Sequence, residues 1–210
     1  HELARRYRIK VIYGVEGYLV EERTRDRKEE RVYHIVILAA NQTGLRNLYR
    51  LVSHSYLDNF YYYPRIYRDE LMQFREGLLL GTACERGEIV QAYLRGADED
   101  ELRRIAMFYD YLEIQPLGNN EFLVRDGAVR TREDLMEMNR RILELGRITG
   151  RPVVATGDVH FLEPHHDVFR RILLSSKGFD DAEHQAPLYY RTTDEMLNEF
   201  RYLGEAEALE

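Results

Sequence analysis

Gly150-Arg151-Pro152-Val153-Val154-Ala155-Thr156-Gly157-Asp158-Val159-His160-Phe161 is the stretch whose reading decides the fold. Its apolar, β-branched run over residues 152–156 reads as a short buried strand. Ahead of it, the spacing predicts a helix from Thr131 to Thr149. Thr131 is placed as N-cap, Glu133 and Asp134 lie in the first turn, and Gly150 is placed as the stop. The strand runs directly into Asp158 and His160. Residues i and i+2 of an extended segment face the same side, so a carboxylate and an imidazole are offered together. A helix, then a buried strand, then metal-type side chains at its carboxyl end is the grammar of βα folds.

The same grammar extends outward. Gly77-Leu78-Leu79-Leu80-Gly81 reads as a buried strand delivering Cys84, and Asp110–Ile114 as a strand closed by Pro116. Helical spacing predicts helices over 43–57, 68–74, 88–94, 98–108, 167–174 and 193–202. Two β-rich runs, Ile9–Val20 and Val32–Ala39, flank an almost wholly charged connector, Glu21–Arg31, and predict a hairpin. A turn centred near Arg25 sets Glu16 opposite His34, with Cβ atoms ~5 Å apart, and a one-residue slip would undo the pairing. No Asn-Gly or Asp-Gly marks the turn, so a solvated, mobile tip is expected. Alternating strands and helices predict parallel βα units, closed as a barrel in preference to an open sheet. No Gly-x-Gly-x-x-Gly or Walker-type loop is present.

Composition sets bounds on function. The 210 residues are 44% hydrophobic and 32% charged, with net charge −7. That supports one sizeable core or at most two small domains. No apolar run approaches the ~20 residues of a membrane helix, so no membrane role is expected. One cysteine excludes an internal disulfide and fits a reducing, cytoplasmic setting. The acidic balance argues against a primary nucleic-acid-gripping surface, while leaving room for a place in a larger nucleic-acid enzyme. Residues 1–7 read as the last turns of a helix and residues 204–210 as the start of another, so the chain is expected to be part of something longer. Tyr61-Tyr62-Tyr63 beside Pro64 reads as packing or a domain interface more readily than as a base-stacking platform.

Five residues are candidates for a divalent-metal site: Glu16, His34, Cys84, Asp158 and His160. Each alone has a plain structural alternative. Glu16 fits an exposed strand face, His34 a satisfied strand histidine, and Cys84 core packing. Asp158 and His160 are read equally well as ligands or as a hydrogen-bonded pair at a loop start. Oxygen and nitrogen donors of this kind suit Zn, Mn or Fe. No histidine is placed to activate Cys84 as a nucleophile. Glu113 is read either as a support behind the ligands or as a salt bridge. His54, His165, His166 and His184 are not assigned to metal.

The order Gly14-Val15-Glu16, His34-Ile35-Val36-Ile37-Leu38-Ala39-x-Asn41, Cys84-x-x-Gly87-Glu88 and Asp158-x-His160-Phe161 is distinctive. With the phrases 10–16, 41–45, 111–116 and 191–197, it resembles the PHP (polymerase and histidinol phosphatase) domain of bacterial replicative polymerases, above all of PolC-type DNA polymerase III α chains. The resemblance implies a distorted (β/α)7 barrel holding up to three divalent metals. By motif, Glu16, His34, Cys84, Asp158 and His160 are the later ligands. The earlier ones, beginning with a His-x-His pair, have no counterpart, so the N-terminal strands are expected to be missing. Residues 1–203 would be a partial PHP domain and 204–210 the start of a following helical segment. The 3′–5′ exonuclease inserted near this hairpin in the family is replaced by the short connector 21–31. The parent would be a Mg-dependent, cytoplasmic DNA-directed DNA polymerase whose palm and thumb, DNA and replisome components are the partners. This part would supply structural support, with phosphoesterase or 3′–5′ exonuclease chemistry. The alternatives are a free-standing PHP phosphoesterase of the histidinol-phosphatase kind and a purely structural module without metal.

Overall fold

The computed structural model describes residues 2–178 and 184–204. A short helix α1 (Glu2–Tyr7) precedes strands β1 (Gly14–Val20) and β2 (Val32–Ala39), which pair antiparallel as a hairpin. The strand begins at Gly14, later than the apolar run suggests, and Ile9, Val11, Ile12 and Tyr13 ahead of it are exposed. The register also differs from expectation. Tyr18, not Glu16, lies opposite His34, and Glu16 lies opposite Val36. The turn is centred midway between Val20 and Val32, one residue beyond Arg25. Moving a hairpin's centre by one residue moves its partners by two. The side-chain period of a strand is also two, so Glu16 and His34 remain on one face as diagonal neighbours.

The connector is not the free tip its charge suggested. Glu30 is buried and ion-paired with Arg65, and it accepts a hydrogen bond from the Tyr67 hydroxyl at 3.0 Å. Arg27 donates to the Asn59 carbonyl at 2.6 Å, and Arg23 pairs with Glu70 at 2.7 Å. These bonds hold the connector against the segment beyond the next helix, α2 (Gln42–Leu57). That segment includes a three-residue strand, β3 (Arg65–Tyr67), running parallel to β1. Three residues between Pro64 and a helix carry too little pattern to be read from sequence.

Helix α2 is capped by Asn41, whose side chain accepts from the Gly44 amide at 2.9 Å. Helix α3 (Arg68–Gln73) leads to β4 (Leu78–Gly81), antiparallel to β2. Helices α4 (Glu88–Leu94) and α5 (Glu99–Ala106) precede β5 (Leu112–Ile114). Two single-turn helices, α6 (Leu117–Asn120) and α7 (Phe122–Arg125), are too short to show in the sequence pattern. Helix α8 (Arg132–Thr149) has the expected ends, a Thr131/Asp134 capping box and Gly150 in the left-handed region at φ 65. It returns the chain to β6 (Val153–Ala155), parallel to β5. A 3₁₀ turn (Pro164–His166), α9 (Asp167–Ser176), α10 (Thr193–Glu199) and a final 3₁₀ turn (Arg201–Leu203) complete the described chain. His1 and residues 205–210, on which readings of the chain ends fell, lie outside the described residues.

Among the described residues, one sheet has the order β3-β1-β2-β4 and a second contains β5-β6. A bridge between Gly81 and Tyr111 brings the end of β4 to the start of β5. The architecture is mixed α/β. The β1–β2 and β2–β4 pairs are antiparallel, so among the described residues the expected parallel pairing is found at β1–β3 and β5–β6, with an isolated parallel bridge at Gly81–Tyr111. No closed barrel forms among the described residues. Leu19, Ile35, Ile37, Leu51, Leu80, Leu112, Leu135 and Met138 are fully buried in one core. Each such side chain stabilises the fold by about 1.5–3 kcal/mol. Helix α9 buries none of its residues and exposes Phe169, Ile172 and Leu173.

Removing one partner of a buried ion pair strands the other charge, so Glu30→Ala is expected to cost about 3–5 kcal/mol in urea unfolding. A loss under about 1 kcal/mol, the range of surface pairs, would show that the connector is not fastened as described.

Candidate metal centre

Glu16 projects from β1 and His34 from β2 on the face that the hairpin register makes common to both. Glu16 Oε1 lies 2.7 Å from His34 Nδ1. Cys84 Sγ lies 3.3 Å from the same nitrogen, so a histidine does stand beside the thiol, contrary to the expectation from sequence. Ligand-type atoms of Glu16, His34 and Cys84 all fall within 4.8 Å of one another. Cys84 sits in a tight turn after β4. The Gly87 amide donates to the Cys84 carbonyl at 2.9 Å, and the His34 amide donates to the Arg86 carbonyl at 3.0 Å, which docks the turn on β2. A Cβ on Gly87 would stand 1.9 Å from the Thr82 carbonyl oxygen, so only glycine closes this turn.

Asp158 and His160 follow β6 and line the same cleft, whose volume is about 790 Å³. They do not belong to the tight three-residue group. His160 Nδ1 lies 2.8 Å from the Asp158 carbonyl oxygen and 3.7 Å from Asp158 Oδ1, so the ring meets the Asp158 backbone and not its carboxylate. The strand-like i, i+2 geometry is not realised, because Asp158 has φ 50 in the left-handed region. An aspartate visits that region more readily than most residues. The loop is held by Asn119, which donates to the Gly157 carbonyl at 3.0 Å, and by the His160 amide, which donates to the Leu188 carbonyl at 2.8 Å.

The electrostatics separate the groups. The hydrogen bond from His34 holds the Glu16 carboxyl below the usual glutamate value, so Glu16 is an anion near neutrality. Burial pushes the Cys84 thiol far up, and Glu85 adds to this. Burial also raises Asp158, with the Glu16 charge a lesser contributor. His34 Nε2 is buried without a hydrogen-bond partner among the described residues. In a tetrahedral zinc site with bonds of roughly 2.0–2.3 Å, donor atoms stand about 3.4 Å apart. Carboxylate, imidazole and thiolate atoms within 4.8 Å of each other therefore fit a common ion after small side-chain rotations.

Other residues of the cleft carry no sequence signal of their own. Arg86, Asn119 and Arg170 line it, as does His184, which the sequence left unassigned. Arg86 is recoverable only as a neighbour of Cys84, and Asn119 lies on a single-turn helix that the pattern does not reveal. His165 is exposed, His166 accepts from the Glu163 amide, and His54 packs edge-on against Phe74. Glu113 is buried but makes no ion pair among the described residues. It receives hydrogen bonds from the Ala83 amide and the Thr156 hydroxyl. Tyr63 stacks on Tyr18, while Tyr62 is 74% exposed.

The chain matches the PHP domain family over residues 1–116 and belongs to it. It is similar to chains named DNA polymerase III PolC-type. It is 53% identical to that of Clostridium perfringens over 86% of its own length, and 52% identical to that of Caldanaerobacter subterraneus over 96%. The Bacillus subtilis protein of the same name is 45% identical over 87%. The chain spans only 12–14% of the length of these relatives. No described helix is long and apolar enough to cross a membrane.

Two outcomes check these electrostatics in metal-free protein. On acidification followed by carboxyl NMR, Glu113, raised by burial, should protonate before Glu16. The reverse order would contradict the geometry. Cys84 should react with Ellman's reagent at pH 8 at least about tenfold more slowly than free cysteine, because the thiolate is the reactive form.

Proposed function

We propose that this chain is the metal-binding PHP portion of a PolC-type replicative DNA polymerase. Its roles are to support the polymerase structurally and to hold divalent metal at Glu16, His34, Cys84, Asp158 and His160. The observation that carries this reading is the convergence of Glu16, His34 and Cys84, from three separate segments, on one point in a cleft that Asp158 and His160 also line. The relatives' shared name and the family match support the polymerase as parent over a free-standing phosphoesterase. In that parent the palm and thumb, DNA and other replisome components are the partners, the setting is cytoplasmic, and Mg serves polymerisation. The finer architecture we propose is a distorted (β/α)7 barrel. The outer edge of β6 is unpaired among the described residues and offers a place where further strands would pair in such a barrel.

The donor set selects among metals. A thiolate beside an imidazole and carboxylates suits Zn, with Mn or Fe as the harder alternatives. A bound divalent ion would supply Lewis-acid activation of water and of a phosphoester. The residues do the rest. Glu16 is already ionised, and His34 offers Nδ1 to the cleft. Cys84 must give up its proton to ligate, so affinity should rise with pH. Arg86 and Arg170, lining the cleft, supply positive charge to an anionic phosphoester.

Metal analysis after equilibration with Zn or Mn tests the reading. The wild-type chain should retain metal, and Asp158→Ala with His160→Ala should weaken retention at least tenfold. A wild-type chain that retains none would reject it. Turnover of bis(p-nitrophenyl) phosphate by the loaded protein separates a hydrolytic site from a structural one.

A further inference from the structure

Glu113 is buried in the middle of β5, with 7% of its surface exposed and no cation paired to it among the described residues. Such a carboxylate is costly unless several donors satisfy it. The donors here are informative. Oε1 accepts from the Ala83 amide at 3.1 Å and Oε2 from the Thr156 hydroxyl at 2.9 Å. Its own amide donates to the Thr82 hydroxyl at 2.8 Å. Ala83 immediately precedes Cys84, and Thr156 lies two residues before Asp158. One side chain therefore ties together the two segments that deliver these candidate ligands.

Both segments also contain a residue in the left-handed region, Ala83 at φ 59 and Asp158 at φ 50. For a residue with a Cβ this conformation costs about 1–2 kcal/mol and persists only where its surroundings enforce it. Room for the carboxylate is made by Gly81, where a Cβ would stand 2.6 Å from Glu113 Oε1 and 2.2 Å from the Tyr111 ring.

We propose that Glu113 is a positioning residue, a strut that sets the separation of Cys84 from Asp158 across the cleft. Its bearing on metal rests on the reading above, but its mechanical role does not. The strut works through hydrogen bonds, so charge is secondary. Glutamine can accept from the Ala83 amide and donate to the Thr156 oxygen, whereas alanine can do neither.

The test uses two readouts on the whole 210-residue chain: the rate of Cys84 with Ellman's reagent in metal-free protein, and Co²⁺ affinity with its thiolate-to-cobalt charge-transfer band. Glu113→Ala should raise the thiol rate severalfold, weaken Co²⁺ binding by roughly 10–100-fold and diminish the band. Glu113→Gln should restore both most of the way. Thr156→Val, which cuts one arm of the strut, should give an intermediate effect, and it carries the test if Glu113→Ala does not fold. Unchanged thiol rates in both disrupting variants would overturn the strut, as would a glutamine variant as impaired as the alanine one. If the wild-type chain binds no Co²⁺ while the thiol rates still respond, the strut stands and the metal-centre reading falls.

Discussion

Val20 opposite Val32 sets the register of the β1–β2 hairpin, and most of the site's geometry depends on that pairing. It places Glu16 and His34 on one face as diagonal neighbours, close enough for the 2.7 Å contact between them. The same strand β2 then pairs with β4 on its other side, so the turn carrying Cys84 emerges within 3.3 Å of the His34 ring. A slip of one residue would put Glu16 and His34 on opposite faces of the hairpin, with one of them turned into the core, because a strand alternates its faces with period two. Fastening of the connector by Glu30 on Arg65 and Tyr67 helps hold this register, since a charged loop without turn residues has no local reason to define it.

A second constraint acts at the other side of the cleft. β5 and β6 are parallel and are joined through α8, whose ends are defined by a capping box and a left-handed glycine. The loop after β6 brings Asp158 and His160 to the cleft, while Asn119 and Leu188 hold its backbone. The two halves meet through the Gly81–Tyr111 bridge, beside Glu113. The site is thus assembled from two sheets that share one hydrophobic core and also meet at a few buried polar contacts.

Legibility in the sequence follows local information content. Helix α8 is readable at both ends because Thr131, Asp134 and Gly150 each act within one turn of the residue they cap. Helix α4 and the strand before Cys84 are readable from uninterrupted apolar patterns. Strand β3 is not, since three residues carry no periodicity and its burial comes from β1 and the connector. The hairpin is legible, but its register is displaced by two residues from the one its sequence suggests. Glu30 looks like any other charge in an acidic and basic loop, and only its partner Arg65, 35 positions away, makes it a buried anchor.

The sequence by itself determined the residue types, the order of the motifs and the family to which the chain belongs. These reside in side-chain chemistry and short spacing, which survive without coordinates. Tertiary structure alone decided that Glu16, His34 and Cys84 share a point in space while Asp158 and His160 stand apart along the same cleft. It also decided that Glu113 is met by hydrogen bonds and, among the described residues, by no cation, and that the described strands form no closed barrel. Each of these depends on distances between residues far apart in the chain, and such distances come from sheet register and packing, which no local pattern encodes.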